Sequence, residues 1–300
     1  MRTALDCVPC LVRQSLDASR MVSADPGVHE QMVREMLGWL ADADLRDSPP
    51  RMGQRLHQRL REVSGVADAY REAKDLHNAL AASLLPDLRA RVETAEDPFD
   101  LAVRLAIAGN VIDLGVRGRV SEDEVRGSIE QALSEPVTGP IDELRDAVRS
   151  ARDILYLADN CGEIVLDRLL IEQLPAGRVT LAVRGAPILN DATMADARAI
   201  GLTDIAAVID NGSDAPGTIL DDCSPAFQRR FAETDLVIAK GQGNFESLSD
   251  APRTVFILFK VKCGVVAAHV GEPEGSHVVA LAGRRTGPMT LVPGASDEAS

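Results

Sequence analysis

Along the first half of the chain, apolar residues recur at the three-to-four spacing of a helix face. In 28–37, Met32, Val33, Met36 and Leu37 fall on one side. The same spacing predicts helices at about 3–20, 51–62, 67–85, 98–115, 122–134 and 141–150. Asp47-Ser48-Pro49-Pro50 and Ser134-Glu135-Pro136 read as breaks between them. Ser121 ahead of Glu122-Asp123-Glu124 is a helix start whose acids suit the dipole. Near residue 150 the period changes. Short apolar runs at 154–158, 179–183, 205–209, 236–239 and 255–259 read as buried strands, separated by helical stretches at about 163–173, 192–200, 224–233 and 244–249. Alternating strands and helices predict right-handed crossovers and a largely parallel, doubly wound sheet. The expected class is therefore α/β, with an all-helical domain over 1–150 and an α/β catalytic domain over 151–300. The tail from 287 to 300, rich in Gly, Pro, Ser and Asp, is expected to fray. There is no internal repeat.

Composition narrows the partners. Hydrophobic residues make up 45% of the chain but aromatics only 3%, so Leu, Val, Ile and Ala must fill the core. The net charge of −14 repels nucleic-acid backbones and anionic membranes, which excludes both as expected partners. An anionic substrate would then need a local positive centre. The N-terminal stretch has no apolar signal-like region, and no run reaches the ~18–20 apolar residues of a membrane span, so a cytoplasmic protein is expected. Five cysteines without framework spacing fit a reducing compartment.

In an open α/β sheet, ligands bind beyond the carboxyl ends of the strands. Each predicted strand here ends in polar, Gly-rich sequence: Asp159-Asn160-Cys161-Gly162-Glu163, then Arg184-Gly185 running to Asn190-Asp191, then Asp210-Asn211-Gly212-Ser213, then Lys240-Gly241-Gln242-Gly243-Asn244, then Lys260-Val261-Lys262-Cys263. Asp159, Asn160 and Asp191 offer two carboxylates and an amide oxygen, the donor chemistry of a hard divalent cation. Simple helix capping by Asp159 and Asn160 is the competing explanation. Gly241 to Asn244 resembles a phosphate-cradling turn before a helix, against a plain tight turn that needs glycine. At the next strand's end, Lys260 or Lys262 suits a phosphate as a point charge, and the other a solvated surface position. Cys7-x-x-Cys10 opens a helical region and has no second pair to complete a zinc site, which points to structural or accessory thiols.

These motifs occur in one order together with Gly109-Asn110-x-Ile112-Asp113 and Pro187-Ile188-x-Asn190-Asp191-Ala192-Thr193. The set resembles the metal-dependent damage-control phosphatases, long catalogued as domain-of-unknown-function 89, and in particular their prokaryotic branch with an N-terminal CxxC. The resemblance covers nearly the whole chain. It implies a helical N-terminal region packed on a Rossmann-like core and one divalent metal, with Mn²⁺, Co²⁺ or Ni²⁺ preferred to Mg²⁺. Family metal ligands carry over onto Asp159, Asn160 and Asp191, and substrate contacts onto Glu163, the loop Gly241 to Asn244, and Lys262. The eukaryotic branch ends the last strand with Arg-Thr-x-Lys; here Phe259-Lys260-Val261-Lys262 keeps only the final Lys, so that branch's substrate preferences do not transfer.

The expected activity is hydrolysis of a small phosphorylated metabolite, a sugar phosphate or related side product, by metal-assisted water attack. Asp159, Glu163 and Lys262 form the expected catalytic group. Asn190, Lys240, Gly241, Gln242, Gly243, Asn244 and Lys260 form the expected phosphate-binding set. A phospho-aspartyl intermediate on Asp159 is a variant that lacks the Asp-x-Asp pattern usual for it. Two rival classes remain open: an S-adenosylmethionine-dependent carboxyl methyltransferase, disfavoured by the single glycine after the first strand, and a non-catalytic metal- or metabolite-binding protein. Neither the physiological substrate nor the oligomeric state follows from these residues.

Overall fold

The computed structural model describes residues 1–109 and 122–283. Asn110 to Asp113, the Ser121 helix start and the tail from 287 lie outside them. The chain opens with α1 (Cys7–Val22), α2 (Pro26–Ala41) and α3 (Pro49–Ser64), followed by α4 (Arg71–Thr94) and α5 (Pro98–Ala108). Local chemistry sets several boundaries. Asp25 caps α2 by accepting from the Gly27 amide, with Pro26 in the first turn, and Asp97 caps α5 in the same way through Asp100. Ser48 precedes the Pro49-Pro50 start of α3, and Gly65 stops that helix in the left-handed region. On α2, Met32 and Met36 are buried as expected, whereas Leu37 faces outward, half exposed. The α4 helix runs on through Pro86, past the end expected at 85. Its Leu84, Leu88 and Val92 are all buried in the main core. That burial outweighs the roughly 3 kcal/mol that an internal proline costs.

The remainder alternates: α6 (Glu122–Ser134), β1 (Val137–Thr138), α7 (Ile141–Ser150), β2 (Ile154–Leu157), α8 (Glu163–Ile171), β3 (Val179–Val183), α9 (Met194–Ala199), β4 (Ala207–Asp210), α10 (Pro225–Glu233), β5 (Leu236–Lys240), α11 (Gln242–Leu248), β6 (Val255–Lys260), α12 (Gly264–Val270) and β7 (His277–Ala282). These strands form one seven-stranded sheet in the order β1-β7-β6-β5-β2-β3-β4, parallel throughout except for β7 against β6. The five expected strands are present. Two more were not expected: β1, which places a two-residue edge strand inside the stretch read as all-helical, and β7. Both escape a periodicity search for physical reasons. A two-residue strand carries no period, and β7 follows the short apolar helix α12, whose Gly-Val-Val-Ala-Ala run has no polar face to mark it.

Alternation along the central strands divides the core. Ile154, Tyr156, Ile238 and Leu258 point into a cluster with α4, α5 and α8, while Leu155, Leu157, Val237, Ile257 and Phe259 point into a second one with α10, α11 and α12. Helices thus cover both faces of the sheet. Replacing Ile238, fully buried on the middle strand β5, with Ala is expected to cost about 2–5 kcal/mol. A urea-unfolding midpoint unchanged from wild type would contradict this placement of the core.

Candidate active site

The strand order brings β2 and β5 side by side although β3 and β4 lie between them in the chain. Neighbouring strands whose connections leave in opposite directions open a crevice at their carboxyl ends. Asp159 and Asn160 follow β2 at that point. Gly241 follows β5 with φ +83°, and a Cβ there would lie 1.8 Å from Asp159 Oδ2, so the Asp159 carboxylate occupies the space that a side chain at 241 would need. Asp191 arrives from the loop after β3. Leu189, the one non-glycine with positive φ among the described residues (φ 44°), turns the chain back. Residues 160 and 191 then pair as a short antiparallel bridge. The Cys161 amide donates to the Asn190 carbonyl at 2.8 Å, and the Ala192 amide to the Asp159 carbonyl at 2.8 Å. Positions some thirty residues apart are thereby locked together by main chain.

Both carboxylates are buried, Asp159 at 7% and Asp191 at 3% exposure. Between them lies Arg184, at the end of β3 and equally buried. Its Nε donates to Asp191 Oδ2 at 2.6 Å and its Nη2 to Asp159 Oδ1 at 3.3 Å. The Asp159 carboxyl is nevertheless held well above the usual carboxylate range. Burial is the largest cause, followed by the charges of Asp191 and Glu163, while Arg184 and Lys262 act the other way. The Asn160 amide nitrogen donates to Asp159 Oδ2 at 2.9 Å and to Glu163 Oε2 at 3.1 Å. Two buried carboxylates that disfavour each other's ionisation, with a carboxamide beside them, fit a hard divalent cation. Among the described residues no group of three or more His, Cys, Asp or Glu forms a metal cage, so any ion here would depend on the amide.

Asp159, Asn160, Asn190, Asp191, Gln242, Gly243 and Lys262 line one cavity of about 560 Å³. Its other wall is helical, with Cys7, Cys10 and Gln14 from α1 and Pro49, Pro50 and Gly53 from α3. That wall is anchored to the sheet side: Gln54 donates to Asp214 at 2.6 Å and to Asp222 at 2.8 Å, and Arg61 pairs with Asp214. Lys262 is exposed at the rim, and its amide donates to Gln242 Oε1 at 2.8 Å.

Other expected site residues are not on the cavity wall. Lys240 is fully buried beneath it, its ammonium 2.6 Å from Glu163 Oε1, 2.7 Å from Asp167 Oδ1 and 2.7 Å from the Ala106 carbonyl. Asp167 also accepts from the Tyr156 hydroxyl at 2.9 Å, and burial, against the pull of Lys240, raises its carboxyl to about 6. Asn244 is buried, donating to the Lys240 carbonyl at 2.7 Å and accepting from the Thr218 hydroxyl at 2.7 Å. Glu163 accepts from the Asn160 amide, and its charge acts on Asp159. Lys260 lies elsewhere, its ammonium 4.0 Å from Glu135. Arg184 and Asp167, which carry much of the charge here, were not singled out from the sequence as site residues. Arg184 stands at a strand end on the same edge as the others, which was the available signal; Asp167 sits mid-helix in an apolar run and has none.

Comparison with known proteins gives one consistent result. The family profile for the damage-control phosphatase ARMT1-like domain matches residues 3–278. A damage-control phosphatase from Archaeoglobus fulgidus is 35% identical over 282 residues, covering 91% of this chain and 96% of its own. An uncharacterized protein from Methanocaldococcus jannaschii is 32% identical, with 91% and 93% covered. The crystal structure of a DUF89 family protein from Pyrococcus horikoshii superposes with a TM-score of 0.84 at 30% identity, over 93% of this chain and 98% of that one.

Two outcomes follow from the charges. Arg184→Met leaves two buried carboxylates without their shared cation and is expected to lower stability by about 3–5 kcal/mol in urea unfolding; a change below 1 kcal/mol would contradict the pairing. Beside the cavity, burial raises Glu246 from 4.5 to about 7. The folded chain therefore keeps a proton that the unfolded chain has released, and stability from this group is present below about pH 4.5 and lost as pH rises through about 7. Glu246→Gln should flatten the stability–pH curve across that window, and two parallel curves would rule out the shift.

Proposed function

We propose, from the premise that this chain belongs to the ARMT1-like damage-control phosphatase family, that it is a metal-dependent phosphatase of small phosphorylated metabolites, sugar phosphates or related side products, working in the cavity lined by Asp159, Asn160, Asp191 and Lys262. The observation that carries this reading is the pairing of 159–161 with 190–192, which delivers two buried carboxylates to one point on the cavity wall. The relatives named damage-control phosphatases support the reaction class.

Asp159, Asn160 and Asp191 would hold one divalent ion, Mn²⁺, Co²⁺ or Ni²⁺ in preference to Mg²⁺ on the family resemblance. Such an ion supplies Lewis-acid charge to a phosphoryl oxygen and lowers the pKa of water. The chain's own residues do the rest. Lys262, exposed at the rim, meets the phosphate dianion as a point charge, whereas the Arg184 guanidinium is engaged by Asp159 and Asp191. The side-chain amides of Asn190 and Gln242 orient the phosphoryl group. Glu163 acts by positioning: it accepts from Asn160 on one oxygen and from Lys240 on the other, holding the carboxamide toward Asp159. Lys240 and Asn244 brace that arrangement from behind, and Lys260 takes no part. The α1 and α3 wall screens the reacting groups from bulk water.

In this proposal a Rossmann-like part over 151–300 is catalytic, with the mainly helical 1–150 as its cover. A cytoplasmic setting, and neither nucleic acid nor membrane as partner, remain part of it. Among the described residues no helix is long and apolar enough to cross a membrane.

The test is phosphate release from a panel of sugar phosphates with each divalent ion in turn. Wild type should depend on added metal, Asp191→Ala should lose about 100-fold or more in kcat, and Lys262→Ala should chiefly raise KM. Equal turnover in wild type and Asp191→Ala would overturn the assignment.

A further inference from the structure

Of the five cysteines, Cys161 and Cys223 are buried, and the other three line the proposed catalytic cavity. Cys7 and Cys10 stand on the first turn of α1, and Cys263 follows Lys262 at the start of α12. The proposed hydrolysis uses none of them. Cys10 is exposed, and Cys7 and Cys263 are partly so. Cys263 acts electrostatically on both Cys7 and Cys10, and after burial it is the largest influence on Cys10. Nearly the whole chain separates these thiols in sequence, yet the fold gathers them at one opening.

We propose that Cys10 and Cys263 are a modification site for small organic disulfides, joining as a disulfide that ties α1 to the Lys262 segment and blocks the cavity. The chemistry balances in two exchanges. The Cys10 thiolate attacks one sulfur of the small disulfide; that S–S bond breaks, a mixed disulfide forms on Cys10, and one small thiol leaves. The Cys263 thiolate then attacks the Cys10 sulfur, and the second small thiol departs. The two protein thiols lose two electrons and two protons, and the two released thiols carry them.

Two features explain why the bridge would act on the site. The Gln242 side chain links Cys263 to the reacting end: its Nε2 lies 3.7 Å from Cys263 Sγ, and its Oε1 accepts from the Lys262 amide at 2.8 Å. Drawing Cys263 toward α1 therefore displaces the segment that presents Lys262. In addition, α1 packs against α2 and α3, so it is the cavity mouth that gives way rather than the helix. Burial holds the Cys7 and Cys10 thiols above their ordinary range, so little thiolate is present and the first exchange is slow. Transient bridges of this kind suit a reducing compartment.

The experiment treats the reduced full-length protein with oxidised glutathione and maps its peptides without reduction by mass spectrometry. Phosphate release is followed before treatment, after it, and after dithiothreitol. The expected result is a peptide pair joining Cys10 to Cys263, loss of activity, and its return on reduction. Cys10→Ser and Cys263→Ser should keep their activity through the treatment, while Cys7→Ser should lose it as wild type does. A bridge confined to Cys7 and Cys10, no bridge at all, or loss of activity in Cys263→Ser overturns the proposal. The activity arm rests on the phosphatase reading, whereas the peptide map does not, so failure of one is told apart from failure of the other.

Discussion

The site depends on keeping two like charges close together in a place that water barely reaches. Left to themselves, Asp159 and Asp191 would separate or take up protons, because burial and mutual repulsion both disfavour ionisation. Two restraints prevent separation. Main-chain hydrogen bonds clamp 159–161 to 190–192, and the Arg184 guanidinium is shared by the two carboxylates. The first restraint is geometric and indifferent to charge; the second offsets part of the electrostatic cost. A cation of higher charge than a guanidinium would relieve the remainder, which is the physical sense in which this pocket is suited to a metal.

Beneath the pocket a second charged group gives support of another kind. Lys240, at the end of β5, is enclosed by Glu163, Asp167 and the Ala106 carbonyl, and Tyr156 completes the set from β2. Buried ion pairs contribute little net stability but can fix geometry through their hydrogen bonds, although Asp167 Oδ2 is buried without one. Here they tie the middle strands, the first turn of α8 and the end of α5 into one register. Asn160 then inherits its orientation from Glu163. The cavity wall is therefore rigid on the sheet side and formed by separate helices on the other.

Much of this was legible in the chain itself. Buried parallel strands announce themselves as continuous apolar runs, and β3 was placed to the residue. Reading the positions just after each strand found Asp159, Asn160, Asp191 and Lys262, all of which meet at the cavity. The same rule does not say which way a strand's last residue points, into the crevice or into the core, and alternation carries Lys240 inward. Lys260 likewise stands away from the cavity, its side chain leaning toward Glu135. Arg184 was visible only as part of a motif, since its role depends on two carboxylates meeting across it, which no single stretch reveals. The edge strands β1 and β7 stayed hidden because pairing at a sheet margin needs neither length nor a clear period.

Leu189 holds a left-handed backbone conformation that costs a leucine on the order of 1–2 kcal/mol, where a glycine would adopt it freely. Its side chain also lines the cavity. The turn that swings Asp191 into place therefore carries stored strain and sets an apolar residue on the cavity wall. A loop built this way is preorganised: the acid need not search for its position when a ligand arrives, and little ordering entropy is charged against binding.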